Sequence, residues 1–114
     1  MPKKSYPQYG DVYLTTLEPT RGSEMKKTRP CVVVSPNVMN VRLKTVIMAP
    51  LTSTMTPFPF RVQSHFQDQD GMIALDQMRA LDKTRCFKRL GAIAEKTQSE
   101  MSKRLIEIFD HSHK

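Results

Sequence analysis

Only the last stretch of this chain has a helical rhythm. Met101, Leu105, Ile108 and Phe109 fall at i, i+4, i+7 and i+8, which makes one apolar helix face. Everything before them comes as short apolar runs broken by proline, glycine or hydroxyl-rich segments. A helical bundle or a doubly wound sheet needs helices throughout, and this chain does not supply them. The pattern predicts a mainly β protein, a small and strongly curved barrel with one C-terminal helix.

Residues 11–17 (DVYLTTL) read as a first strand, rich in β-branched and aromatic side chains. Residues 18–28 form a polar loop that holds both Pro19 and Gly22 and is longer than a hairpin needs. Cys31-Val32-Val33-Val34 is apolar without alternation, so it predicts a central strand covered on both faces. Ser35-Pro36-Asn37 opens a short helical turn. Residues 45–49 form a strand that Pro50 should end, and residues 51–59 an irregular loop because of their prolines. Residues 60–63, 72–75 and 78–81 are short strands. Residues 87–94 form a last, bent strand with Gly91 as its bulge. Thr97 and Glu100 have the spacing of a capping box, in which each side chain satisfies the other's backbone N–H.

At 114 residues the length predicts one domain spanning 1–114. No apolar run approaches the roughly 18 residues that cross a membrane. The basic N-terminus has no apolar stretch behind it, so it is not a secretory signal, and the expected location is the cytoplasm. Cys31 and Cys86 lie far apart in strand-like runs; buried free thiols suit an intracellular chain better than one disulfide. No Cys/His cluster has metal-ligand spacing, and nothing in the chain asks for a cofactor. The charge points outward: 18 Lys+Arg against 11 Asp+Glu leave +7, a balance suited to polyanions.

Cutting RNA without a metal requires a base for the ribose 2′-hydroxyl, a cation for the crowded phosphoryl oxygens and a proton for the leaving oxygen. Glu24 on the polar loop and Arg29 at the mouth of an apolar strand are candidates. Pro30 restricts Arg29, whose guanidinium can offer a phosphate two parallel donors where lysine cannot. Spacing alone equally describes a solvated loop charge and a surface ion pair, which are commoner. Thr52 and Ser53 can donate to phosphate oxygens, or simply shape a turn. Phe58 and Phe60, beside Arg61, either stack on unpaired bases or face the core. His65 reads as a solvated histidine in a polar loop; His111 and His113 belong to a fraying tail.

Taken in order, Gly10-Asp11-Val12, Glu18-Pro19-Thr20-Arg21-Gly22-Ser23-Glu24 and Thr28-Arg29-Pro30-Cys31-Val32-Val33-Val34-Ser35-Pro36 resemble the signature of the MazF/PemK toxin family. The likeness continues through Ala49-Pro50-Leu51-Thr52-Ser53, Pro59-Phe60-Arg61-Val62, the stretch from Gly71 to Leu75, Asp76-Gln77 and Leu81-Asp82. The resemblance implies an SH3-like curved barrel of the CcdB/PemK toxin type with a C-terminal helix. It also implies a homodimeric, metal-independent endoribonuclease that cuts single-stranded messenger RNA and leaves 2′,3′-cyclic phosphate and 5′-hydroxyl ends, and an acidic antitoxin as partner. Carried onto matching positions, it makes Arg29 the phosphate-stabilising arginine and the acid, Glu24 the base, and Thr52, with Ser53 beside it, the contact to the reacting phosphate. Asp76 and Gln77 then help to place the RNA, beside Phe58, Phe60 and Arg61. Three positions depart from the family pattern. Glu18 replaces the usual aspartate, and Ser23 and Ala74 stand where the Kid/PemK branch carries histidine and arginine. Those changes favour the Glu-Arg-Thr arrangement of the MazF branch.

Two other functions suit the same fold, because fold does not fix function. One is a CcdB-like gyrase poison with no chemistry of its own. The other is an RNA-binding barrel that does not cut. Neither needs Glu24, Arg29 and Thr52 together.

Overall fold

The computed structural model describes residues 6–16 and 28–112. The expected polar loop, Glu24 included, lies outside them except for Thr28. Seven strands form: β1 (Asp11–Thr16), β2 (Thr28–Val33), β3 (Thr45–Thr52), β4 (Arg61–Phe66), β5 (Gln69–Ala74), β6 (Arg79–Asp82) and β7 (Cys86–Ala92). They are joined by the short α1 (Asn37–Asn40) and closed by α2 (Glu95–Phe109). The main path of the sheet runs β4-β5-β3-β2-β1-β7, with β6 also paired to β3. This is a mainly β fold, curled into a half-barrel. Its two ends meet through side chains: Gln67 Nε2 donates to the Leu90 carbonyl at 3.2 Å. A Cβ at Gly91 would stand only 3.2 Å from the Phe66 ring, so glycine lets the ends approach.

Both faces of the central strands are apolar, as the unbroken Cys31–Val34 run requires. Val12, Val32, Ala49, Ile73 and Leu75 pack with Met101 of α2 in one cluster. Cys31, Val33, Val46, Met48 and Leu81 form a second cluster. The strand register assigns the two sets to opposite faces, since neighbours along β2 alternate between them.

Pro50 does not end β3, which runs on to Thr52. The bond from Val34 N–H to the Ile47 carbonyl fixes the alternation, and by it the nitrogen of Pro50 points away from β2. On that edge β6 pairs only as far as Met48, and β5 begins at Leu51. Proline sits in the gap, where no partner awaits an N–H. The bend in β7 is where Gly91 predicted it: Val12 pairs with Gly91 and Tyr13 with Arg89, leaving Leu90 as the extra residue.

The capping box does not form. The helix starts at Glu95 with Ala94 as its N-cap, and no side chain caps it. Ile93 is buried and its N–H is held by the Gly10 carbonyl, so the chain turns into the helix before it reaches Thr97. Glu100 pairs instead with Arg104 at 2.9 Å. Met101 is buried, and Leu105 and Ile108 pack on the core, but Phe109 is 71% exposed and leaves the predicted face. His65 is on strand β4 rather than in a loop, its Nδ1 2.8 Å from Asp70 Oδ1.

Candidate functional site

Arg29 and Thr52 are brought together by register. The β2–β3 ladder pairs Val33 with Met48, Val32 with Ala49 and Cys31 with Pro50. Continued two residues further, it sets Arg29 opposite Thr52. On its other edge Arg29 faces Thr15 of β1. The two side chains and Ser53 line an open cleft of about 330 Å³ where the half-barrel ends approach. The far wall is the β4–β5 hairpin, with Gln67, Gln69, Asp70 and Gly71. Arg29 is exposed, and Thr52 is half-buried at the end of its strand.

The Thr52 hydroxyl accepts the Thr54 N–H at 3.2 Å. Turn shaping and phosphate contact are therefore compatible, since the hydroxyl hydrogen is still available to donate. Gly71 fixes the depth of this corner. A Cβ there would lie 2.8 Å from the Thr52 carbonyl oxygen.

The other expected residues gather elsewhere. Phe58 and Phe60 are 50% and 49% exposed, so neither enters the core. The Arg61 guanidinium lies 5.3 Å from the Phe58 ring centroid, within cation–π range. The same guanidinium is paired with Asp76, Nε to Oδ1 at 3.1 Å, so its charge is already balanced. Asp76 and Gln77 are exposed on a 3-10 turn over Leu75–Gln77. Ala74, where one branch of the family has arginine, is buried in β5. Glu24 lies outside the described residues. The structure thus joins Arg29, Thr52 and Ser53 in one place, and Phe58, Arg61 and Asp76 in another.

Sequence reasoning missed the hairpin wall. Gln67 and Asp68 both have positive φ, 51° and 61°, which makes a two-residue turn between β4 and β5. The signal was the alternation of β4 (Val62 and Ser64 against Gln63 and His65), which the polar composition of this segment masks. The cysteines are free, as expected. Cys31 is buried, and the Cys86 thiol lies 3.4 Å from Met48 Sδ. Burial pushes both thiols up to about 11. Arg29 and Arg79 pull Cys31 the other way, which places both cations near its face of the sheet. Among the described residues no group of three or more His, Cys, Asp or Glu is arranged to hold a metal ion. No helix among them is long and apolar enough to cross a membrane.

A curled sheet with one closing helix, and an arginine facing a threonine in an open cleft, defines a small β protein built to hold an anion. The family profile described as PemK-like, MazF-like toxin of type II toxin-antitoxin system matches residues 8–109, and the chain belongs to that family. It is 34% identical over 113 residues to a protein named Endoribonuclease MazF from Staphylococcus epidermidis, covering 90% of this chain and 94% of that one. To the protein of the same name from Staphylococcus saprophyticus it is 33% identical over 101 residues, or 82% of each chain. Among solved structures it resembles an endoribonuclease from a mycobacterial species in complex with its cognate antitoxin. The TM-score is 0.74 at 25% identity, covering 89% of this chain and 92% of that one.

Proposed function

We propose that this chain is the endoribonuclease toxin of a type II toxin–antitoxin pair, cutting single-stranded messenger RNA in the cytoplasm without a metal. The observation that carries the proposal is the pairing of Arg29 with Thr52 in an open cleft, on the strands where the family signature lies. Arg29 gives two N–H donors to the non-bridging oxygens of the reacting phosphate, and Thr52, flanked by Ser53, gives a third from its hydroxyl. Glu24 takes the proton of the ribose 2′-hydroxyl. The 2′-oxygen then forms its bond to phosphorus while the bond to the 5′-oxygen breaks, and the leaving oxygen is protonated at the Arg29 end of the cleft. The products are a 2′,3′-cyclic phosphate and a 5′-hydroxyl end.

Flanking bases rest on the half-exposed rings of Phe58 and Phe60, between the Arg61–Asp76 pair and Gln77. The whole of 1–114 acts as one toxin domain. An acidic antitoxin is its partner, consistent with a charge of +7. The test is cleavage of an end-labelled RNA in excess EDTA. We expect full activity, a cyclic-phosphate end, and no cutting of a substrate with 2′-deoxyribose at the cut site. Loss of activity in EDTA, or cleavage of the deoxy substrate, overturns the mechanism.

A further inference from the structure

β4 is an edge strand: β5 pairs with it on one side and no strand pairs with it on the other. Its register shows which backbone groups that leaves. A two-residue turn with both φ positive makes its flanking residues, Phe66 and Gln69, a hydrogen-bonded pair. Alternation then bonds Ser64 and Val62 to β5 and turns the N–H and C=O of Gln63 and His65 outward. Two bonds beyond the strand confirm the phase. Leu75 N–H donates to the Phe60 carbonyl, and Arg61 N–H turns away from β5 to the Phe58 carbonyl. Among the described residues, nothing pairs with the outward groups of Gln63 and His65.

This edge lines a cleft of about 580 Å³ whose opposite wall is the N-terminal half of α2, with Lys96 and Arg104. The buried Ser64 hydroxyl also lines it. The residue is only 5% exposed, and its oxygen has no hydrogen-bond partner among the described residues. A buried polar group left this way needs a ligand to satisfy it. A free strand edge faced by a helix is the arrangement by which domains capture an extended peptide as an added strand. The charges fit an acidic one: Arg61, Lys96 and Arg104 stand in the cleft against Asp70 and Glu100, within a chain of net +7. Asp70 borders both this cleft and that of Arg29, so the two run side by side.

We propose that an acidic, extended peptide segment docks here by adding as a strand to the free edge of β4, with its acidic side chains toward Lys96 and one backbone or side-chain acceptor on the Ser64 hydroxyl. The inference rests on the toxin–antitoxin reading, the segment being part of the acidic partner, and it adds where and how that partner is held. Blocking the approach to the neighbouring Arg29 cleft follows from the shared wall.

The experiment uses the full chain labelled with ¹⁵N and a synthetic decapeptide of alternating glutamate and valine at millimolar concentration. The Gln63 and His65 amides should shift and gain protection from exchange, while those of β1 stay unchanged. Lys96→Glu, which places an acid at a helix N-terminus and so leaves α2 intact, should weaken the peptide by about tenfold. Ser64→Ala should weaken it by a smaller factor. Gln63→Pro removes one outward N–H, which an edge strand tolerates, and should abolish the shift at His65. Several outcomes would overturn the proposal: no change at Gln63 and His65, changes confined to the Arg29 cleft, or protection of both amides before peptide is added, which would mean that a second copy already pairs there. A single-stranded oligoribonucleotide shifting these amides where the peptide does not would also overturn it. RNA cleavage by the unaltered protein reports separately on the endoribonuclease reading, so either can fail alone.

Discussion

Arg29 is held at the exposed end of a strand whose next residues are buried, so its guanidinium works from a fixed base. Replacing it with alanine should slow RNA cleavage at least about a hundredfold, the usual cost of losing one preorganised charge-stabilising donor. Arg29→Lys should restore little, because a point charge cannot make the two-pronged contact. Thr52→Val should cost a smaller factor. A denaturing gel of labelled RNA measures all three, and wild-type rates for Arg29→Ala would remove this site from the chemistry. The thiols make a second prediction at this scale. Their acid groups are raised by burial to about 11 from an ordinary 9.0. The folded state therefore holds those protons more tightly than the unfolded chain. The stability involved is intact below pH 9 and is lost as pH climbs toward 11. Denaturant melts across pH 8–11 should show a decline that Cys31→Ala and Cys86→Ala together reduce.

The β4–β5 hairpin decides the shape of both clefts, and Gly71 is where it leans on β3. A methyl group there meets the backbone of Thr52, not a flexible side-chain end, so the strands themselves must move. Gly71→Ala should cost about 1–3 kcal/mol, the range for overpacking. Differential scanning calorimetry should show this as a lower Tm, and RNA cleavage should fall with it as Thr52 is displaced. An unchanged Tm would mean that the corner is slack. At α2 the comparison runs differently. Its apolar period was plain in the sequence and its start was not, because the anchoring of Ile93 by Gly10 comes from the far end of the chain.

At the scale of the molecule, a half-barrel of 13.1 kDa presents little concave surface for a polymer. We expect a homodimer, since two-fold pairing is the commonest way to enlarge such a surface. Light scattering at micromolar concentration should give twice the chain mass. A fully active monomer would sink this expectation. Binding of an uncleavable RNA should weaken steeply with salt, because released counterions drive association with a chain this basic.

The sequence by itself determined what depends on near neighbours. Short β-branched runs specify strands, the unbroken Cys31–Val34 run specifies burial on both faces, Gly91 marks the bulge, and an ordered series of motifs points to the family. Arg29, Thr52 and Ser53 were legible as candidates, though their spacing alone favoured surface charges and turns. Only the tertiary structure decided that Arg29 faces Thr52, because that rests on a register fixed by distant backbone hydrogen bonds. It also decided that Arg61 is taken by Asp76, that Pro50 fits a gap between β6 and β5, and that Phe109 points to solvent. The edge of β4 belongs to this second group. Which strand is left unpaired is a property of the whole sheet, and no window of sequence contains it.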